Sequence, residues 1–122
     1  VFQSEVLFDK GSAALGNAGQ MQLVTIAKTL KNIAKKIPDD IDWVLRVDGH
    51  TDNDPIKTLR FPSNWELSSA RAIAVVQTLI ANGIRPKRLV AAGFGQYQPI
   101  EHRGDEIAKR RNRRIELKLT QR

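Results

Sequence analysis

The chain contains no cysteine and only two histidines in 122 residues. Without thiols there is no disulfide, no thiolate nucleophile and no cysteine zinc site. The compartment stays open, because a domain of this size also folds in an oxidising space without disulfides. Long apolar runs are missing too. The longest are a few residues, far below the roughly 20 that a bilayer-spanning helix needs. No basic-apolar-small leader begins the chain. Val1 leads directly into strand-like sequence, so an excised domain is expected, its targeting segment removed. There is no phosphate-binding glycine loop, no dinucleotide fingerprint and no nucleophile elbow. Gly93-Phe94-Gly95 is too short for such a motif and reads as a strand end that needs unusual dihedrals. Aromatic residues make up 6% of the chain. Only Phe94 and Tyr97 lie near its basic segment, whereas nucleic-acid modules interleave the two types.

What remains is a mixture that can fold. Hydrophobic residues make up 41% and charged residues 27%, enough for one buried core and a wet surface. A single domain over residues 1–122 is expected. The 20 basic and 13 acidic residues leave a net charge of +7, which suggests an anionic partner and says nothing of fold.

Patterning predicts seven elements. Phe2 to Phe8 reads as a strand, followed by turn chemistry at Asp9-Lys10-Gly11-Ser12. From about Gln20 to Ile37, apolar residues recur at helical spacing (Met21, Val24, Ala27, Leu30, Ile33/Ala34, Ile37), and Pro38 ends the helix. Trp43 to Gly49 alternates as a half-buried strand, with Trp43, Leu45 and Val47 on one face. Ser63 and Glu66 form a capping box for a helix over about Asn64–Ala81, with Leu67, Ala70, Ile73, Ala74, Val76 and Leu79 inward. Leu89 to Phe94 is a short strand. Asp105 to Arg111 is a short helix with acids in its first turn and bases in its last. Ile115, Leu117 and Leu119 mark a last strand. The order β-α-β-α-β-α-β predicts an α/β (α+β) sandwich: a mixed four-stranded sheet with helices packed on it.

Three stretches could carry chemistry. Gly49-His50-Thr51-Asp52-Asn53-Asp54 lies just past a strand end, where α/β folds place ligand sites. Here Asp52 could recognise a cation. His50, Asp52 and Asp54 as a metal site is disfavoured, since one histidine and no cysteine suit zinc poorly; turn capping is the plain alternative. In Asn64-Trp65-Glu66-Leu67-Ser68-Ser69-Ala70-Arg71, the arginine sits at the edge of a buried stripe. It must find an acceptor: a protein carboxylate, or a ligand carboxylate gripped by its fork. Finally, Lys109-Arg110-Arg111-Asn112-Arg113-Arg114 belongs to a C-terminal segment, Arg103 to Arg122, with eight basic and three acidic residues, or +5. That leaves polyanion or nucleic-acid binding as the alternative function.

Taken in order, these stretches resemble the OmpA-like peptidoglycan-binding domain over nearly the whole chain. The matching pieces are Phe8-Asp9-x-x-Ser12 with Leu15, and Gly49-His50-Thr51-Asp52. Next come Asn64-x-x-Leu67-Ser68-x-x-Arg71-Ala72, then Gly93-x-Gly95 with Pro99, and Asn112-Arg113-Arg114-Ile115-Glu116. The long loop before Asn64, with Phe61-Pro62-Ser63-Asn64-Trp65-Glu66-Leu67-Ser68, is most similar to the flagellar stator MotB branch. Ala108 departs from the glycine many members carry. The resemblance implies non-catalytic binding of peptidoglycan, with no cofactor and no metal. Asp52 would accept from the ammonium of the stem-peptide diaminopimelate, and Arg71 would grip its carboxylate. Asn64 and Thr51 would add neutral hydrogen bonds, with Asp9 and Arg114 near the pocket. It further implies the periplasm or cell envelope of a Gram-negative bacterium and no nucleic-acid partner. Membrane attachment would come only through segments absent from this chain, and a homodimer is allowed.

Overall fold

The computed structural model describes all of residues 1–122. Its backbone runs β1 (Phe2–Gln3), α1 (Ser4–Leu7), α2 (Asn17–Ala34), β2 (Trp43–His50), α3 (Asn64–Ala81), β3 (Leu89–Gly93), α4 (Glu106–Asn112) and β4 (Arg114–Gln121), with a 3-10 turn at Pro86–Arg88. The four strands form one mixed sheet in the order β1-β4-β2-β3. β2 runs parallel to β3 and antiparallel to β4. A helix between β2 and β3 makes their parallel pairing the natural crossover. The expected four-stranded sandwich is what forms.

Its first strand is much shorter than the sequence suggests. Phe2–Gln3 pairs with β4, and the chain then coils into the single turn α1. An apolar run this short carries no period that separates strand from helix. Phe8 regains extended geometry and bridges to Leu15. α2 is also rotated and shifted relative to the expected stripe. It begins at Asn17 and buries Gly19, Leu23 and Ala27, whereas Met21 and Ile33 face solvent. In α3, whose bounds match the expected ones, Val75 and Ala72 are buried and Ile73 is exposed. Ser63 caps α3 through its hydroxyl, which accepts from the Trp65 amide and pairs with the Glu66 carboxylate.

β2 lies in the middle of the sheet and is buried on both faces, not one. Its odd residues Leu45 and Val47 join Leu23, Ala27, Val75 and Leu79 in the core beneath α2 and α3. Its even residues point to the other face. There Arg46, Asp48 and His50 lie opposite Lys118, Glu116 and Arg114 of β4, and ionic side chains cover one another where no long helix packs. Arg88 is buried too, stacked over Trp43 and donating to the Trp43 carbonyl at 2.9 Å.

Two glycines bring α3 close to the strand ends. Gly49 and Gly93 are register partners across β2 and β3. A Cβ on Gly49 would lie 2.2 Å from the Ser68 carbonyl, and one on Gly93 would lie 2.0 Å from Ser69 Oγ. Gly93 is therefore required by close helix approach; the unusual dihedral falls at Gly95, with φ +60. The contact sets the first turns of α3, from Asn64 to Arg71, over the carboxyl end of β2.

Candidate functional site

At that end of β2 the chain leaves the sheet as Thr51-Asp52. The Thr51 amide donates to the Gly95 carbonyl at 2.9 Å, and its hydroxyl to the Asp52 carbonyl at 2.8 Å. A cavity of about 320 Å³ opens beside this turn, walled by α1, the strand end, the first turns of α3 and α4. Four carboxylates line it (Glu5, Asp52, Asp54, Glu106), together with Lys10, Arg71 and Arg113.

Arg71 forms one wall. It is 4% exposed, yet both of its hydrogen-bond acceptors are backbone carbonyls. Nε donates to Ser12 at 2.8 Å and Nη2 to Asp9 at 3.1 Å. The guanidinium stacks on the Phe8 ring at 5.2 Å. Its charge has no directly bonded carboxylate. Burial pulls its pKa down to about 10, against the attraction of Glu5, and it stays charged at neutral pH.

Asp52 lines the same cavity. Its Oδ1 accepts from the Asp54 amide at 3.0 Å, and its Oδ2 accepts from Arg113 Nη1 at 2.6 Å. Arg113 also donates to Glu5 at 2.7 Å and Glu106 at 3.2 Å. Burial opposes the charge of Arg113, but these carboxylates outweigh it and raise its pKa. Asn64 fastens the turn to α3, its amide donating to the Asp54 carbonyl at 3.0 Å and to Gln96 Oε1 at 3.1 Å. Lys109 reaches across from α4 to Asp54 at 2.8 Å, and this exposed pair raises the lysine and lowers the carboxyl. Ser4 also lines the cavity, and its buried hydroxyl has no partner.

Of the six residues expected at the site, four meet at this cavity: Asp52, Arg71, Asn64 and Thr51. Asp9 contributes only its backbone carbonyl, and its side chain is exposed. Arg114 is not in the cavity wall. It lies on the helix-free face, where it pairs with Glu116 and donates to the Gln98 carbonyl at 2.8 Å. Its neighbour Arg113 occupies the cavity instead, because successive residues at the start of a strand point to opposite faces. Glu5, Lys10 and Ser4 also went unnoticed in the sequence. Parity along β4 could have exposed the exchange of Arg114 for Arg113; no local signal marks the other three.

The two alternative sites disperse. His50 is separated from Asp52 and Asp54 and lies with Asp48 and Glu116 on the helix-free face, their ligand atoms within 4.8 Å. Those acids are engaged by cations: Asp48 by Arg46 at 2.7 and 2.9 Å, Glu116 by Arg114. The basic run Lys109–Arg114 does not form one face either. Lys109 turns to Asp54, Arg111 to Glu101, Arg113 to Asp52, and Arg114 inward to Glu116.

The molecule is thus a two-layer α+β module with a zwitterionic cavity beyond the carboxyl end of its central strand. It belongs to the OmpA family, whose model matches residues 7–113. The chain is similar to the uncharacterized protein YtxE of Bacillus subtilis, 39% identical over 118 residues, covering 96% of this chain and 46% of that protein. Motility protein B of the same organism is 33% identical over 116 residues, 94% of this chain and 42% of the relative. The peptidoglycan-binding protein ArfA of Mycobacterium tuberculosis is 28% identical over 107 residues, 88% of this chain and 32% of the relative. The chain thus spans less than half the length of these relatives. Among solved structures, the cell wall anchor of the T6SS from Pseudomonas aeruginosa superposes with a TM-score of 0.83 at 34% identity, covering 98% of this chain and 77% of that one. The periplasmic domain of Helicobacter pylori MotB gives 0.82 at 29% identity, covering 98% and 73%. The expected likeness to the MotB branch is present in both sequence and structure.

Proposed function

We propose that this domain binds cell-wall peptidoglycan non-covalently, through the zwitterionic end of the stem-peptide diaminopimelate, and anchors a larger envelope protein to the wall. The observation that carries this reading is that a buried, carboxylate-free Arg71 and Asp52 both line one small cavity. A ligand end bearing both a carboxylate and an ammonium matches that pair. The carboxylate takes the fork of Arg71, and the ammonium is drawn to Asp52 with Glu5 and Glu106 around it. Asp52 already shares its charge with Arg113, so Arg71 is the stronger anchor. The names of ArfA and of the T6SS anchor support the partner and the anchoring role. The relatives include Bacillus and Mycobacterium as well as Helicobacter proteins, so the compartment proposed is the cell envelope, with no Gram type attached.

No bond is made or broken in this reading. Charge-assisted hydrogen bonds contribute about 1.5–3 kcal/mol each, and association costs leave modest affinity for a single stem. Retention on the wall then comes from many stems and tethered or paired copies raising the effective concentration. Calorimetric titration with meso-diaminopimelate tests the site, with Nα-acetyl-lysine amide as control, because its free end carries an ammonium but no carboxylate. Saturable binding of diaminopimelate alone is expected. Equal binding of the blocked lysine would remove the role given to Arg71.

A further inference from the structure

Beside the cavity stands a pair of aromatic side chains that the core does not use. Trp65 and Tyr97 stack with ring centroids 4.9 Å apart and an interplanar angle of 25°. They remain 49% and 57% exposed, and neither belongs to the core cluster. Both rings pack over Gly95, approaching to 3.4–3.5 Å the position a Cβ would take there. The turn at Gly95, with φ +60, therefore presents the pair outward rather than closing it into the core.

Its position relative to the cavity is set by the same two segments. Asn64 and Gln96 join α3 to the Gly95 loop by a hydrogen bond of 3.1 Å, and Asn64 lines the cavity. Trp65 and Tyr97 are the next residue along each segment, one Cα step of about 3.8 Å further on. The two segments are thus clasped twice, once by an amide pair at the cavity and once by an aromatic pair in solvent.

Exposed Trp and Tyr offer a rigid apolar face with a polar tip, and their ring faces carry negative charge density. A pyranose ring presents partly positive C–H bonds on its flat side and hydroxyls at its edge, which complements such a surface. In peptidoglycan the stem peptide is covalently attached to a glycan strand. Three residues of extended backbone reach about 10 Å and the diaminopimelate side chain adds to that, so the tether is long enough to join an end held in the cavity to a sugar on an adjoining surface.

We propose that Trp65 and Tyr97 form a sugar-stacking platform for the glycan strand, adjoining the cavity that takes the stem peptide. This rests on the peptidoglycan reading of the cavity and extends it from the peptide to the saccharide. A protein partner is the competing occupant of an exposed aromatic pair; the platform's place beside the cavity favours the sugar.

The test compares two ligands by calorimetry, the free stem tripeptide containing diaminopimelate and the same tripeptide carried on its disaccharide. The wild type is expected to bind the disaccharide form about tenfold more tightly, the size of effect that an interface aromatic commonly carries. Trp65→Ala should bring the disaccharide form down to the tripeptide affinity and leave the tripeptide unchanged. Tyr97→Leu, on a loop, is the second variant and should lose several-fold for the disaccharide form alone. Equal affinity of the two ligands for the wild type would overturn the platform and assign the pair to a protein contact. So would a Trp65→Ala loss shared equally by both ligands. If neither ligand binds, the reading of the cavity itself fails, and the platform falls with it.

Discussion

Two dense clusters of charge flank the end of β2, and they behave differently. On the helix-free face, Arg46, Asp48, Glu116, Arg114 and Lys118 pair with one another around His50, which stacks on Phe94 at 4.9 Å. On the helix side, Asp52, Arg113, Glu5 and Arg71 surround an open cavity, and Arg71 has only backbone acceptors. In the first cluster every charged side chain has an ionic partner, although both nitrogens of the buried His50 ring lack a hydrogen-bond partner. The second leaves a buried charge with no directly bonded carboxylate, and on that difference the ligand is proposed to bind there. Charge density alone would not distinguish them; incomplete pairing beside open volume does.

The sharpest way to break this contrast is Arg71→Ala. It should weaken binding of diaminopimelate, and of sedimented peptidoglycan, by about 100-fold, since two charged hydrogen bonds to the ligand are lost. Circular dichroism should stay native, with Arg71→Lys recovering part of the affinity. Wild-type sedimentation by Arg71→Ala would move the ligand elsewhere.

Asp48→Asn probes the first cluster. It removes the buried carboxylate under Arg46, at a stability cost of about 1–3 kcal/mol in urea unfolding, discounted because Arg46 is partly exposed. Diaminopimelate affinity should remain within about twofold. A parallel loss of affinity would show that the two clusters act as one.

The acid limb sharpens the contrast further. Burial lowers the pKa of His50 to about 4, with Arg114 adding to the effect and Glu116 and Asp48 opposing it. Above the unfolded value of about 6.5 both states hold a neutral ring, and the group contributes nothing. As pH falls from there to about 4, the unfolded chain takes up a proton that the native ring refuses, so stability is lost. His50→Phe, which keeps the stack on Phe94, should remove on the order of 1–3 kcal/mol of that acid-induced loss. Identical pH profiles by thermal melts would mean that His50 is not the titrating group.

The smallest effect belongs to the rim. Lys109→Ala breaks the exposed pair with Asp54 and should change affinity less than about threefold at low salt, and not measurably at high salt. A large, salt-insensitive loss would place Lys109 against the ligand rather than at the edge.

Much of this was legible in one dimension. The capping residues and spacing of α3 located Asn64–Ala81, and the turn after β2 marked Asp52. The strand-end rule then placed both beside the same opening. Arg113 was missed and Arg114 chosen because a motif names a neighbourhood, whereas strand alternation decides which neighbour faces the cavity. Phe2–Phe8 was read as strand because seven residues carry no decisive period. Met21 and Ile33, expected to point inward, face solvent instead because the core lies under Leu23 and Ala27, a choice made by how α2 docks on α3 and the sheet.

Residue type and local spacing were enough for the order of the elements other than α1, for the family and for the two opposite charges of the candidate site. Packing alone set that Arg71 is buried without a carboxylate, that Arg113 holds Asp52, and that His50 faces away from both. Those outcomes follow from long-range packing. The glycine-mediated approach of α3 to β2 and β3, and the alternating faces of β4, bring together groups up to 108 positions apart, which no local pattern encodes.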